Sequence, residues 1–294
     1  KELDKKINNS LTQYLERYTS NDIHLIDYFN ENAYFKDDKF KLFDAGCSGG
    51  AADYWYKIKD LKILGIDFAK EEIERLEKNK KNNDEFFYCY NIVNKNQPEN
   101  SVIEKDDDLT FDDTGAFRIQ SLFDELKVKS DRILTKDFNK PSLLKDIPKK
   151  TIKEICEQHD FENFNFIDLD LDGRTFPGLL SCENLIDNPN LFGIKIEVGF
   201  VNSKSADFYL RACNFLQKYN FTLVKILPRA YSTYYLPDKF IYNFPAQSFE
   251  GYHDQGDLIF IKNLTKKSIE KINKVNFCKF IAFLELFNFH GFAI

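Results

Sequence analysis

The sequence predicts an α/β fold: a mostly parallel sheet that closes in an antiparallel hairpin. Three observations carry this. Short apolar runs alternate with amphipathic helical stretches through residues 39–262, the pattern of parallel strands joined by right-handed crossovers. The first run, Phe40 to Asp44, breaks into Ala-Gly-Cys-Ser-Gly-Gly50 before the chain turns helical. The last two runs, Phe221 to Leu227 and Leu258 to Lys262, have no helix between them, so they meet as a hairpin.

Each element has its own signal. Leu3, Ile7, Leu11, Leu15 and Tyr18 recur at helical spacing within an N-terminal segment 1–38 whose remainder is polar and aromatic. Strand Phe40–Asp44 leads into a helix expected over Ala51–Ile58, then strand Lys62–Asp67, a charged helix over about Lys70–Lys81, and a third strand Phe86–Asn91. Residues 92–150, rich in Asp, Lys and Asn, read as an irregular insertion with short strands at Ala116–Gln120 and Arg132–Thr135. Helix Ile152–His159, strand Asn165–Asp170, helix Pro177–Ile186, strand Gly193–Val198 and helix Ser205–Lys218 follow. A long aromatic loop joins the two closing strands. Residues 263–294 form a helical appendage whose end, from Phe277, is almost wholly apolar. It is shorter than the roughly 20 apolar residues of a membrane span and carries Lys279 and Glu285. A docked helix is expected first, and a dimer contact or peripheral membrane contact second.

Composition bounds the function. Of 294 residues, 43% are hydrophobic and 30% charged, enough to build a core and to exclude a disordered chain. The net charge of −6 opposes general affinity for nucleic-acid phosphates, so no nucleic-acid partner is expected. Six cysteines lie singly, without a Cys-x-x-Cys pair, and no basic-then-apolar leader opens the chain. Both point to a reduced, cytoplasmic setting.

The candidate cofactor site begins at Asp44-x-Gly46-x-Ser48-x-Gly50, where a strand gives way to a helix. Glycine supplies positive φ and lets backbone approach a ligand closely, and open α/β sheets bind ligands beyond the carboxyl ends of their strands. Dinucleotide-binding turns place glycines where Ser48 and Ala51 stand here. An acid such as Asp44 suits, directly or through water, S-adenosylmethionine, which carries an ammonium and a sulfonium instead of phosphate. Asp67 ends the second strand 21 positions after Gly46, where a carboxylate accepts from ribose hydroxyls. The turn and Asp67 point to an adenosyl cofactor more than to which one. Asn91, closing the third strand, completes the cofactor set. An ordinary strand-to-helix turn and a solvated strand-end acid are the bland alternatives.

At these residues the chain resembles the FkbM-type S-adenosylmethionine-dependent methyltransferases, which implies a Rossmann-like class I methyltransferase sheet. Phe43 to Gly50 is similar to the family's hydrophobic-Asp-x-Gly-Ala-Asn-x-Gly turn, with Cys47 and Ser48 replacing Ala and Asn. Asp67 falls at its ribose-binding acid, Leu76 and Asn79 match its next helix, and Phe166 to Gly173 and Gly193 to Val198 resemble its following strands. Asp172, Thr175 and Phe68 stand where the family has Gln, Glu and Pro. The resemblance implies O-methylation of a hydroxyl on a sugar, a surface-glycan precursor or another small molecule.

Methyl transfer is an in-line displacement, and a positioned base assists a weak hydroxyl nucleophile by roughly 10²–10⁴-fold. The candidates are Asp170 at the end of the fourth strand, then Asp172 and His253. Glu197 lies in an apolar strand and needs a partner or a place in the site. No metal is expected: Asp168-x-Asp170-x-Asp172-Gly173 opens like a calcium loop, but Leu179 stands where its bidentate Glu would be. Asp168-x-Asp170 also resembles the cation-binding pair of nucleotide-sugar glycosyltransferases, the alternative enzyme. A non-catalytic cofactor-binding partner subunit is the alternative outside enzymes. The loop carrying Tyr231, Tyr234, Tyr235, Tyr242 and Tyr252 is either an acceptor lid or a loop anchored by its aromatic rings.

Overall fold

The computed structural model describes residues 25–94, 147–171, 174–201, 207–231, 241–243, 247–248, 252–264, 269 and 272–289. Helix α1 (Leu25–Glu31) precedes strand β1 (Phe40–Ala45), a 3₁₀ turn (Asp53–Lys57), β2 (Leu61–Asp67), α2 (Lys70–Lys78) and β3 (Glu85–Cys89). Two short strands, β4 (Asn91–Ile92) and β5 (Lys149–Lys150), lead to α3 (Ile152–Gln158), β6 (Phe166–Leu169), α4 (Thr175–Ser181), α5 (Glu183–Ile186), β7 (Gly193–Gly199) and α6 (Tyr209–Lys218). The chain closes with β8 (Phe221–Tyr231), β9 (Ile241–Asn243), β10 (Gln247–Ser248), β11 (Tyr252–Lys262) and α7 (Lys274–Leu286).

The main sheet runs β3-β2-β1-β6-β7-β11-β8-β10-β9. Ladders β2–β3, β1–β6 and β6–β7 are parallel, whereas β11 is antiparallel to both β7 and β8. This is the expected Rossmann-like sheet with its terminal hairpin. The strands of the sheet centre are apolar almost without interruption, and Phe43, Ile66, Ile167 and Ile194 are fully buried, as strands covered on both faces must be. Thr151 caps α3 through a reciprocal capping box with Glu154, a Thr-x-x-Glu signal of helix start.

Several boundaries differ from expectation. The Ala51–Ile58 helix is a five-residue 3₁₀ turn, and α1 occupies a stretch expected to be irregular. The third strand ends at Cys89, and Asn91 instead pairs with Lys149 in the separate β4–β5 ladder. Helix Pro177–Ile186 is two helices, α4 and α5. The hairpin strands are longer than expected, with Tyr252 paired to Tyr231, so both tyrosines belong to strands rather than to a loop. The N-terminal helix 1–18 and the strands at 116–120 and 132–135 lie outside the described residues.

By internal contacts the chain forms two units, one of residues 1–40, 52–61 and 272–294, the other of 41–51 and 62–271. In the first, the Glu285 carboxylate of α7 accepts the Leu25 and Ile26 amides that open α1. Lys279 pairs with Asp38 at 2.7 Å, and Trp55 packs between the rings of Phe40 and Phe287. No helix among the described residues is long and apolar enough to cross a membrane. The second unit carries the candidate site.

Candidate cofactor and acceptor site

Chain order reverses between β1 and β6: β2 and β3 lie to one side, β7 to the other. Such a switch point opens a crevice at the carboxyl ends of the strands. The turn after β1 fills it. Gly46, Gly49 and Gly50 have φ of 87°, 88° and 81°, the left-handed region that side chains resist. The Gly46 and Cys47 amides both donate to the Ile66 carbonyl of β2, at 2.8 and 3.2 Å. The Gly50 amide closes the turn on the Cys47 carbonyl at 2.8 Å. Gly49 donates to Glu72 Oε1 at 2.7 Å, and Glu72, fully buried on α2, is held in turn by Arg75.

Asp67 and the glycine turn are joined directly. The Asp67 carboxylate accepts from the Ala69 amide at 2.8 Å, and the nearby backbone amides of Phe68 and Ser48 favour its charged form. Burial pushes its pKa up to about 6 against those amides. The Gly46 and Cys47 bonds to Ile66 tie the turn to the strand that ends in the proposed ribose acid, while a Cβ on Gly50 would lie 3.3 Å from the Leu76 Cδ2 methyl.

Asp44 lies on β1, two residues before Gly46. It is 8% exposed, and no described residue donates a hydrogen bond to its carboxylate. Burial, then the negative charge of Asp168 beside it, raises its pKa to about 8, with Lys195 acting in the opposite sense. Asp168 is the lateral neighbour of Asp44 in the β1–β6 ladder, and Lys195 the lateral neighbour of Asp168 on β7. Lys195 donates to Asp168 Oδ2 at 2.8 Å, which leaves Asp168 Oδ1 buried and without a partner among the described residues. An acceptor atom without a donor is costly in a shielded site. The donor set therefore suits a ligand that brings positive charge or N–H groups.

A second row of acids stands one step nearer the strand ends. Carboxylate oxygens of Asp170, Glu197 and Asp257 lie within 4.8 Å of one another. Arg229 of β8 reaches all three: it bonds Glu197, donates to Asp257 at 2.7 Å and approaches Asp170 at 3.6 Å. The guanidinium thus fills the role a cation would have there. Burial raises the pKa of Asp257 even so. Asp170 is the open member, with its side chain 35% exposed, and it adjoins the turn because its amide donates to the Ala45 carbonyl at 2.9 Å.

Of the residues singled out from sequence, Asp44, Gly46, Ser48, Gly50, Asp67 and Asp170 converge on this crevice. Asn91 lies beyond β3, where its Oδ1 accepts from Arg174 at 3.0 Å and its amide donates to Pro148. Arg174 also lies over the Phe68 ring at 5.6 Å, so Asn91 reaches the site through an arginine. His253 is exposed on β11, opposite Ala230. Asp172 lies outside the described residues, as do residues 232–240 of the aromatic loop. Sequence alone missed Lys195, Arg229, Asp257 and Glu72 as members of the site. The signal for the first was the alternation Lys195-x-Glu197 inside an apolar strand.

No family model and no curated protein matches the chain. Similar solved structures include a TehB-like S-adenosylmethionine-dependent methyltransferase of Corynebacterium glutamicum, 11% identical over 88% of this chain and 99% of that one, with a TM-score of 0.33. Magnesium protoporphyrin IX methyltransferase of Synechocystis with bound S-adenosylmethionine is 8% identical over 85% and 81%, at 0.34. A putative S-adenosylmethionine-dependent methyltransferase of Listeria monocytogenes is 8% identical over 81% and 100%, at 0.35. Likeness at this level carries no argument about activity. The chain's own strand order and the residues at its switch point do.

Proposed function

We propose that the chain is an S-adenosylmethionine-dependent methyltransferase. The observation that carries this is the junction of the glycine turn with the end of β2, where the Gly46 and Cys47 amides donate to Ile66 beside Asp67, at the switch point of the sheet. Asp67 would accept from the ribose hydroxyls, and the Phe68 ring beside it would offer a face for the adenine. Asp44, buried and without a hydrogen-bond donor among the described residues, suits the ammonium of the ligand. The cofactor supplies an electrophilic methyl group on a positively charged sulfur. The protein's part is to hold donor and acceptor in line, which contributes up to about 7–11 kcal/mol in well-oriented systems.

The acceptor reading is O-methylation of a hydroxyl on a sugar, a surface-glycan precursor or another small molecule. It is supported by the resemblance of the turn and strand ends to FkbM-type enzymes and by the placement of Asp170. That carboxylate is solvent-accessible and adjoins the turn, and it would take the hydroxyl proton as the new C–O bond forms. The glycosyltransferase alternative asks Asp168 to bind a cation, whereas its Oδ2 is engaged by Lys195 and its Oδ1 is buried. Calorimetry with S-adenosylhomocysteine tests the proposal: the wild type should bind, and absence of binding heat at several temperatures would refute it.

A further inference from the structure

Asp44 on β1 and Asp168 on β6 are direct lateral partners at the centre of the sheet. Among the described residues Asp44 has no donor, and Asp168 Oδ1 is shielded and unpartnered. The charges facing the pair are Asp67 from β2, Asp170 after β6, Asp257 from β11 and Lys195 from β7, with Arg229 of β8 engaged by the outer acids. Negative groups thus outnumber the ammonium that touches the pair. Two shielded carboxylates side by side with one such lysine do not both ionise; they share a proton, as paired acids in other sites do.

We infer that the Asp44–Asp168 pair holds one proton when empty and releases it to solvent when the ammonium of the adenosyl ligand arrives, so that binding is a cation-for-proton exchange. The inference rests on the cofactor reading above. Charge balances: one positive group enters as one proton leaves. By linkage, affinity for a ligand bearing the ammonium rises about tenfold per pH unit while the pair remains protonated, then levels off.

The test is calorimetry of S-adenosylhomocysteine near neutral pH in phosphate and in Tris, whose ionisation heats differ. The dependence of binding heat on buffer counts the protons released. The wild type should release close to one. Methylthioadenosine, which keeps the adenosyl group but lacks the ammonium, should bind with none released, and this comparison needs no variant. Asp44→Asn should abolish release, and Asp168→Asn should at least halve it while binding persists. Wild-type heats that are the same in both buffers overturn the exchange and leave the cofactor reading standing. Failure of both ligands to bind overturns the cofactor reading and the exchange with it.

Discussion

Gly46 and Asp170 meet through backbone alone: a methyl group on Gly46 would lie 1.7 Å from the Asp170 carbonyl oxygen. The contact joins the turn after β1 to the end of β6, so the proposed cofactor and acceptor sides share one wall. Gly46→Ala combines that clash with a φ of 87° and should cost more than about 3 kcal/mol or prevent folding. Gly50→Ala meets only the flexible end of Leu76 and should cost about 1 kcal/mol beyond its φ strain. Chemical denaturation of the two variants distinguishes them, and equal losses would contradict the account.

Asp67→Ala should weaken S-adenosylhomocysteine binding at least tenfold, about 1.4 kcal/mol, through loss of a charged acceptor for the ribose. It also strips the acceptor from the Ala69 amide, so thermal stability should fall together with affinity. Calorimetry and thermal melts of one preparation read both. An affinity that does not change removes Asp67 from the site.

Asp44→Asn should change the pH dependence of stability. The folded pKa of Asp44 lies near 8, above its usual carboxylate value, so the folded state binds more protons than the unfolded state between about pH 4 and 8. Its contribution is therefore full below that window and is lost as pH rises through it. The asparagine variant lacks this loss and should gain on the wild type with rising pH, by a few kcal/mol (about 1.4 per pKa unit) at the upper end. Melting temperatures across the window measure it; parallel curves would show that Asp44 ionises normally.

Arg229→Met leaves Glu197 and Asp257 close together without their guanidinium. Breaking a shielded ion pair from one side costs roughly 3 kcal/mol, and the cost should shrink as falling pH neutralises the acids. Denaturation at neutral and acidic pH checks both magnitude and direction.

Legibility followed sequence distance. The Gly46–Gly50 turn, Asp67 and the apolar strands were readable because their signals are local: a glycine cluster, a strand-end acid, a run of buried side chains. Glu197 announced that it needed a partner, since an isolated charge in an apolar strand is untenable. Nothing local identified Arg229, 32 residues away on a strand extended past its apolar run. The segment after Gly50 failed for the same reason: its composition allowed a helix, but it forms only a 3₁₀ turn. Asn91 was assigned to the wrong ladder because a two-residue strand has no period to detect.

Glu72 gives the turn a preference among ligands. Its carboxylate already occupies the Gly49 amide, one of the donors with which glycine turns in related sheets greet a pyrophosphate. A nicotinamide or flavin dinucleotide would have to displace a buried anion locked to Arg75 before its pyrophosphate could take that amide. With that amide already taken, the turn suits a ligand that needs no donor from Gly49 better than it suits a pyrophosphate.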